Sequence, residues 1–219
     1  MRPARFLAIA AVTCLPILVS ARGDQRGTPS SGPPGSPAPG QPGAQPGGGR
    51  GRGGVQVMAL TSSAWSDGGL IPVRYTQAGD ETSPPLAWSR APAGTVSFVL
   101  IVHDLDAAAG NGTDDMLHWM LWNIPATATS LPEHVPAVSQ LPDGTRQISA
   151  TGPTYRGPGA PAAEPVHHYV FELYALDATL DVPAVGPSPA QTRGAVVSAM
   201  AGHVRAKAVY VGLFKRHAV

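Results

Sequence analysis

The sequence predicts a mainly β protein, an antiparallel β-sandwich with one short helix near the C terminus. The prediction depends first on short apolar runs of strand length, separated by turns rich in Pro, Gly and Asp. These runs are Val57–Leu60, Leu70–Tyr75, Val96–Val102, His118–Ile124, His167–Leu176 and Ala208–Phe214. One helix signal follows, with Thr192 as a candidate N-cap before Arg193–Ala201 and with Gly202 at the end. Many strands and one late helix favour a sandwich with a small helical addition.

The stretch from Phe98 to Ile124 combines buried strands with charged residues. Phe98–Val102 is a continuous apolar run rich in β-branched residues, which is typical of a strand buried on both faces. It ends in the sequence HDLD at 103–106, and a second apolar run, Met116–Ile124, contains His118. Two strands are therefore expected to bring carboxylates and an imidazole to one end of a sheet. Charged groups where a buried strand ends often serve binding or catalysis.

Alternation along the run His167–Leu176 separates two adjacent histidines. Side chains of a strand point alternately to its two faces, so His167 is predicted to share the apolar face with Tyr169. His168 is predicted to point to the polar face.

The same rule places His118 on a core-directed face of the preceding strand. Its predicted neighbours on that face are Met120, Trp122 and Ile124. One histidine on an apolar face is more often a satisfied core residue than a functional one. Two of them, together with Asp104 and Asp106 at a strand end, indicate a site.

The first 21 residues are predicted to be a secretory signal peptide. Arg2 and Arg5 precede an apolar stretch, Phe6–Val19, that is too short to span a bilayer comfortably. Residues 19–21, Val-Ser-Ala, have the small-residue pattern of a cleavage site. We therefore expect an exported protein, periplasmic or extracellular, without a transmembrane segment in the mature chain. An uncleaved N-terminal anchor is the alternative.

Cys14 is the only cysteine of the chain and lies within this segment. Cleavage after Ala21 would leave no thiol, which would exclude disulfides, cysteine nucleophiles and thiolate metal sites from the mature protein. The alternative is that Cys14 is a lipoprotein attachment site, although the preceding Ala-Val-Thr is a poor match to the sequence expected there.

Residues 22–54 consist almost wholly of Gly, Pro, Ser, Gln, Ala and Arg. Such a segment cannot bury enough apolar surface to offset the entropy of ordering, so it is predicted to be a disordered linker. The folded domain is predicted to span residues 55–219. The chain has 15 Lys and Arg residues against 14 Asp and Glu residues, so its charge does not indicate nucleic acid as a partner.

Five segments of this domain occur in the order in which similar segments occur in a known protein family. They are SPPLAW at 83–88, HDLDA at 103–107, His118-Trp119, YRGP at 155–158 and HHYVF at 167–171. Together with the segment from Thr192 to Gly212, they resemble the phosphatidylethanolamine-binding protein family, in its bacterial branch of Raf kinase inhibitor-like proteins. The resemblance covers nearly all of Thr61–Arg216.

This resemblance implies a Greek-key β-fold with a small pocket for an anionic group such as a phosphate or a lipid headgroup. It assigns no catalytic residue, metal ligand or cofactor. The implied ligand-binding residues are Asp104, Asp106, His118, Tyr155, Gly157, Pro158, His167 and Tyr169. Leu105 and Ala108 stand where the family has prolines, and His168 stands where it has an arginine that pairs with a carboxylate.

Two imidazoles beside a carboxylate suit the capture of an anion. A carboxylate such as Asp104 favours the imidazolium, which donates hydrogen bonds to phosphate oxygens. We therefore expect a binding protein for a small phosphorylated or anionic ligand, for example a phospholipid headgroup. Two alternatives stay open: a protein-interaction or inhibitor module, and a hydrolase that uses His118 and His167 with or without a metal. Whether the protein is an enzyme is also open, with a binding role favoured.

Overall fold

The computed structural model describes residues 54–110 and 112–218. The predicted signal peptide, Cys14 and the predicted linker up to residue 53 lie outside the described residues. Among the described residues, no helix is long and apolar enough to cross a membrane.

Within this described part, the chain forms ten strands and one α-helix, with a short 3-10 helix at Val73–Tyr75. The strands are Gln56–Val57 (β1), Ala59–Thr61 (β2), Gly69–Leu70 (β3), Leu86–Ser89 (β4), Ser97–Ala109 (β5), Asp114–Pro125 (β6), Ser130–Leu131 (β7), Arg146–Ile148 (β8), His167–Leu176 (β9) and Val204–Phe214 (β10). The helix α1 is Pro189–Ala199.

Two sheets pack against each other. The larger sheet has the order β1-β10-β9-β5-β6-β8, with β3 also paired to β10, and the smaller sheet has the order β2-β4-β7. All the long strands pair antiparallel, whereas the two-residue strands β1 and β3 run parallel to β10. Leu60, Leu86 and Leu131 of the smaller sheet pack with Phe98 and Leu100 in one cluster, the sandwich core. The predicted mainly β sandwich with one short helix is confirmed.

The central strand β5 is buried on both faces, as its apolar run predicts. Phe98 and Leu100 belong to the sandwich core, while Val99 and Ile101 belong to a second cluster with Val196 of α1. Each of these four β5 side chains is at most 4% exposed. Because both faces of β5 are covered, only its C-terminal end, from Leu105 onward, reaches the surface.

The helix begins one turn earlier than the sequence analysis predicts. Ser188, not Thr192, is the N-cap, because its hydroxyl accepts a hydrogen bond from Gln191 N at 3.2 Å. Pro189 occupies the first helical position, where its fixed φ angle is favourable and its missing N–H is not needed. The helix also ends before Gly202, at Ala199.

The predicted strand Leu70–Tyr75 is also only partly correct. Pro72 lacks an N–H group for a strand ladder, and Tyr75 N donates instead to Pro72 O at 3.0 Å in the 3-10 turn. The run Val57–Leu60 is likewise divided between β1 and β2, which belong to different sheets.

Candidate binding site

Side chains from β5, β6 and β9 line a cavity of about 360 Å³, which we call the His/Asp cavity. Antiparallel pairing of β5 with β9 sets Asp104 opposite Tyr169, so the end of one strand meets the beginning of the other. Five residues predicted for the site line this cavity: Asp104, Asp106, His118, His167 and Tyr169.

A β-bulge directs His118 to this cavity. Val102 pairs with Trp119 and His103 pairs with Leu117, so His118 is the extra residue on β6. The His118 ring contacts the Tyr169 ring edge to face, with 5.1 Å between centroids. A bulge at this point gives His118 a direction that regular alternation would not.

The prediction that His118 shares a face with Met120 and Trp122 is therefore wrong, although His118 is buried, as predicted for a core-directed face. Met120 and Trp122 pack in the cluster under α1, on the opposite side of the sheet from Tyr169. Ile124 lies in the sandwich core, because a second irregularity near Asn123, whose φ is +57°, changes the alternation again.

Asp104 is a buried carboxylate in a fixed position. Its Oδ2 lies 2.8 Å from His167 Nδ1, and its Oδ1 accepts hydrogen bonds from the N–H groups of Asp106 and Ala107 at 3.0 and 3.2 Å. These backbone bonds stabilise the irregular part of β5 between Asp104 and Ala108, where the register with β6 shifts.

His167 lies between two carboxylates. Its Nδ1 faces Asp104, and its Nε2 lies 2.9 Å from Glu164 Oε2. Burial opposes a charge on the ring, but the hydrogen bonds to the carboxylates outweigh burial and raise the pKa of His167 above its ordinary value. His167 is thus the imidazole in this cavity that favours the charged form.

His118 has the opposite tendency. Its Nδ1 donates to Arg156 O at 2.9 Å, and Arg156 N donates back to His118 O at the same distance. Burial lowers the pKa of His118, and its hydrogen bond to Arg156 and the charge of Asp104 do not offset this. With Nδ1 protonated, Nε2 of the neutral ring is an acceptor.

Tyr169 connects the imidazoles to the wall of the cavity. Its ring contacts both imidazoles, with 5.1 Å between centroids to His118 and 6.4 Å to His167. Its hydroxyl accepts hydrogen bonds from Gly159 N and Ala160 N at 3.2 and 3.1 Å. Burial raises the pKa of this hydroxyl, so it stays protonated at neutral pH.

The remaining predicted residues do not line the cavity. Tyr155 is buried, and its hydroxyl donates to Tyr75 O at 2.9 Å. Gly157 O and Pro158 O accept hydrogen bonds from the side chain and the backbone of Gln77, at 2.8 and 2.9 Å. A Cβ atom on Gly157 would lie 2.8 Å from Thr76 backbone atoms. The three residues therefore fix the loop, and its neighbours Arg156 and Gly159 form the wall.

Sequence reasoning missed two charged residues of the cavity, Arg156 and Glu164. Arg156 lies within the quoted YRGP segment, and its position next to a predicted wall residue was the available signal. Glu164 follows the small-residue segment PAA at 161–163, where the pattern carries no such signal.

His168 lies at the surface, outside the cavity lining, and pairs with Asp106. Asp106 Oδ2 accepts hydrogen bonds from His168 N at 2.6 Å and from His168 Nδ1 at 2.9 Å. Burial alone would raise the pKa of Asp106, but these bonds lower it. His168, which stands where the resemblance implies an arginine, thus has a carboxylate partner.

Positive and negative groups both face the cavity: Arg156 and the His167 imidazolium against Asp104, Asp106 and Glu164. Among the described residues, no group of three His, Cys, Asp or Glu side chains is arranged to hold a metal ion. The lining therefore combines charged hydrogen-bond donors with carboxylate acceptors.

The sequence profile of the family described as phosphatidylethanolamine-binding protein matches residues 61–215 of this chain. The chain is 42% identical over 161 residues to a UPF0098 protein of Methanothermobacter thermautotrophicus, a match that covers 73% of this chain and 99% of the relative. It is 32% identical over 157 residues to LppC of Mycobacterium tuberculosis, whose name designates a candidate lipoprotein, covering 71% of this chain and 73% of the relative.

Two crystal structures have a similar fold. The first is CT736 of Chlamydia trachomatis, designated a candidate homolog of the phosphatidylethanolamine-binding proteins. Its TM-score is 0.61 at 30% identity, with 74% of this chain and 99% of that chain covered. The second is YbcL of Escherichia coli, described as a member of the same family. Its TM-score is 0.59 at 28% identity, with 73% and 98% covered.

Proposed function

Because the chain belongs to the phosphatidylethanolamine-binding protein family, we propose that it binds a small ligand through a phosphate-like anionic group in the His/Asp cavity. The observation that carries the proposal is that Arg156, His118 and His167 line the same cavity. Free phosphate and a lipid headgroup share this chemistry. The protein is proposed to act by binding, without a chemical step.

Each of the three nitrogen-bearing side chains has a different role in this proposal. Arg156 supplies the positive charge of its guanidinium. His167 donates from a charged imidazolium, which gives a stronger hydrogen bond than a neutral ring does. His118, neutral at pH 7, accepts from a protonated phosphate oxygen or from another donor of the ligand.

The binding of an anion should weaken as pH rises. Since the pKa of His167 is raised, its charge persists above the ordinary histidine value of ~6.5 and is lost only as pH passes the raised value. His118, with its lowered pKa, gains a charge only at more acidic pH. We expect the affinity to fall mainly as pH rises above ~6.5, where His167 loses its charge. At acidic pH the affinity should be slightly higher, because His118 is then charged as well.

Calorimetric titration of the full chain tests the proposal, with inorganic phosphate and phosphoethanolamine as probes between pH 5.5 and 8. Sulfate is a third probe, because its own charge is constant over this range. His118→Ala and His167→Ala should each weaken binding by about 1.5–3 kcal/mol, the value of a hydrogen bond to a charged group. His168→Ala is the matched control and should change binding little, since His168 lies outside the cavity.

The outcomes separate the possible ligands and functions. Tighter binding of phosphoethanolamine than of phosphate would favour a headgroup. Equal affinity in all three histidine variants would contradict the proposal. Turnover of a phosphate ester that depends on His118 and His167 would favour the hydrolase alternative, and capture of a specific envelope protein without anion binding would favour the interaction module.

We also propose that the protein is exported. The basic start and apolar run of residues 1–21 support this proposal, as does the name of the relative LppC. N-terminal sequencing of the protein from cell fractions tests it: a start near Arg22 outside the cytoplasm is expected, and an intact Met1 in the cytosol would contradict export. A lipid-modified Cys14 would favour the lipoprotein alternative.

A further inference from the structure

Both ring nitrogens of His167 are engaged by carboxylates. Asp104 Oδ2 lies 2.8 Å from Nδ1, and Glu164 Oε2 lies 2.9 Å from Nε2. Ionised carboxylates can only accept hydrogen bonds, so the ring donates from both nitrogens. In this arrangement His167 has no further N–H group for a ligand.

The two carboxylates differ in how firmly they are held. The Asp104 side chain is 4% exposed, lies on β5 and accepts two backbone hydrogen bonds besides that of His167. The Glu164 side chain is 51% exposed, extends from the loop before β9, and has its carboxylate on His167. An exposed carboxylate on a flexible side chain can exchange protein for water at small cost, whereas a buried one cannot.

Resting on the proposed anion-binding function, we propose that Glu164 is an intramolecular competitor for the ligand. Its carboxylate occupies the acceptor position at His167 Nε2 that an anionic oxygen of the ligand takes on binding. Glu164 then turns toward solvent, while Asp104 keeps its bond to Nδ1. The side chain of Glu164 thereby sets the affinity of the cavity.

The charged and titratable groups that share the cavity with His167 limit how this competition is measured. They are Asp104 and Asp106 of β5, His118 of β6, Tyr169 of β9, and Arg156 and Glu164 of the loops. Removal of the Glu164 charge also takes away one of the groups that raise the pKa of His167. Affinities are therefore compared near pH 6, with the charged state of His167 in each variant checked by imidazole nitrogen NMR.

The experiment compares full-length wild type with Glu164→Gln and Glu164→Ala, using inorganic phosphate and acetate as probes. Loss of an exposed ion pair should make phosphate binding about two- to fivefold tighter. Displacement of Glu164 costs the same free energy whichever anion takes Nε2, so acetate should gain by the same factor. Glu133→Gln is the matched control, because it removes one carboxylate, paired with Arg74 and outside the cavity lining, and should leave both affinities unchanged.

The possible results separate this inference from the function on which it rests. Wild-type binding of phosphate with equal or weaker binding by both Glu164 variants would overturn the inference and leave the proposed function intact. No binding of either probe by any protein, up to about 50 mM, would overturn both. An equal gain in Glu133→Gln would show an effect of overall charge and would also overturn the inference.

A structural measurement on the wild type avoids dependence on the folding of the variants. A crystal grown without anions and then soaked in phosphate should show Glu164 turned away from His167 and a phosphate oxygen at Nε2. Phosphate bound in the cavity with the Glu164 bond to His167 intact would overturn the inference.

Discussion

Two neighbouring residues of β5, His103 and Asp104, belong to two similar clusters of charged side chains on opposite faces of the sheet. Asp104 binds His167, which lies between Asp104 and Glu164. His103 lies on the other face between Asp115, which it hydrogen-bonds, and Glu172, whose Oε2 is 3.5 Å from His103 Nε2. In both clusters an imidazole between two carboxylates has a raised pKa. One arrangement thus occurs twice, but its surroundings differ.

The His103 cluster is closed by cations. Asp115 pairs with Arg193 of α1, and Glu172 pairs with Lys207 of β10. The side chains of His103, Asp115 and Glu172 are at most 22% exposed, whereas that of Glu164 is 51% exposed. Because every carboxylate of the His103 cluster already has a cation from the protein, that cluster connects the helix to the sheet. The cavity cluster has one half-exposed carboxylate, Glu164, and is the cluster proposed to exchange it for a ligand.

The largest effect that distinguishes the clusters is expected from Asp115→Ala. This change leaves Arg193 without its carboxylate and His103 with Glu172 alone. It should lower the free energy of unfolding by about 2 kcal/mol, less than for a fully buried pair. Phosphate affinity should stay within about twofold. Urea denaturation and calorimetric titration at pH 7 measure the two quantities.

Glu133→Gln is the control for Asp115→Ala, because its ion pair with Arg74 is more exposed than that of Asp115 with Arg193. A loss of stability below about 0.5 kcal/mol in Asp115→Ala would contradict a structural role for the His103 cluster. A large loss of phosphate affinity in the folded variant would mean that the two faces of the sheet are not independent.

Tyr169→Phe should have the next largest effect, because it weakens the cavity wall. The change removes the acceptor for Gly159 N and Ala160 N, and Ala160 is buried. We expect a loss of about 1–2 kcal/mol of stability, the cost of unpaired buried donors, together with weaker phosphate binding. Denaturation and titration of the variant check this. Unchanged binding with reduced stability would show that the wall does not order the ligand site.

The sequence was sufficient for the elements whose signals are local. The continuous apolar run predicted that β5 is buried on both faces, and alternation predicted the separation of His167 from His168. The sequence could not predict the direction of the His118 side chain, because a bulge depends on the register between β5 and β6 and has no local signal here. Glu164 was missed for a similar reason, since its carboxylate meets His167 only through the path of a loop.

The pH dependence of the free energy of unfolding should show a smaller effect of the His103 cluster. Since folding raises the pKa of His103, the native state binds more protons, and this stabilisation is complete below ~6.5 and declines as pH rises through the raised value. Burial lowers the pKa of His103, and its interactions with Glu172 and Asp115 reverse that effect. The stability difference between wild type and Asp115→Ala should therefore shrink above ~6.5. If the stability difference were constant from pH 5.5 to 8, the whole loss of stability would come from the ion pair of Asp115 with Arg193 and none from His103.

The smallest effect is expected from Asp106→Asn. Asp106 pairs with His168, and both side chains are substantially exposed, so stability should change by less than about 0.5 kcal/mol. Loss of one carboxylate that lines the cavity should leave phosphate affinity unchanged or slightly higher. Weaker phosphate binding would indicate that Asp106 positions the ligand directly.

The most direct test of the difference between the clusters is an imidazole NMR titration of the full chain with and without phosphate. Histidine-to-Gln variants assign the signals of His103, His118 and His167. We expect phosphate to raise the pKa of His118 and His167, because a bound anion favours the charged ring, and to leave the pKa of His103 unchanged. Equal shifts at His103 and His167, or no shift at either cavity histidine with phosphate in excess, would contradict the assignment of one cluster to ligand binding and the other to structure.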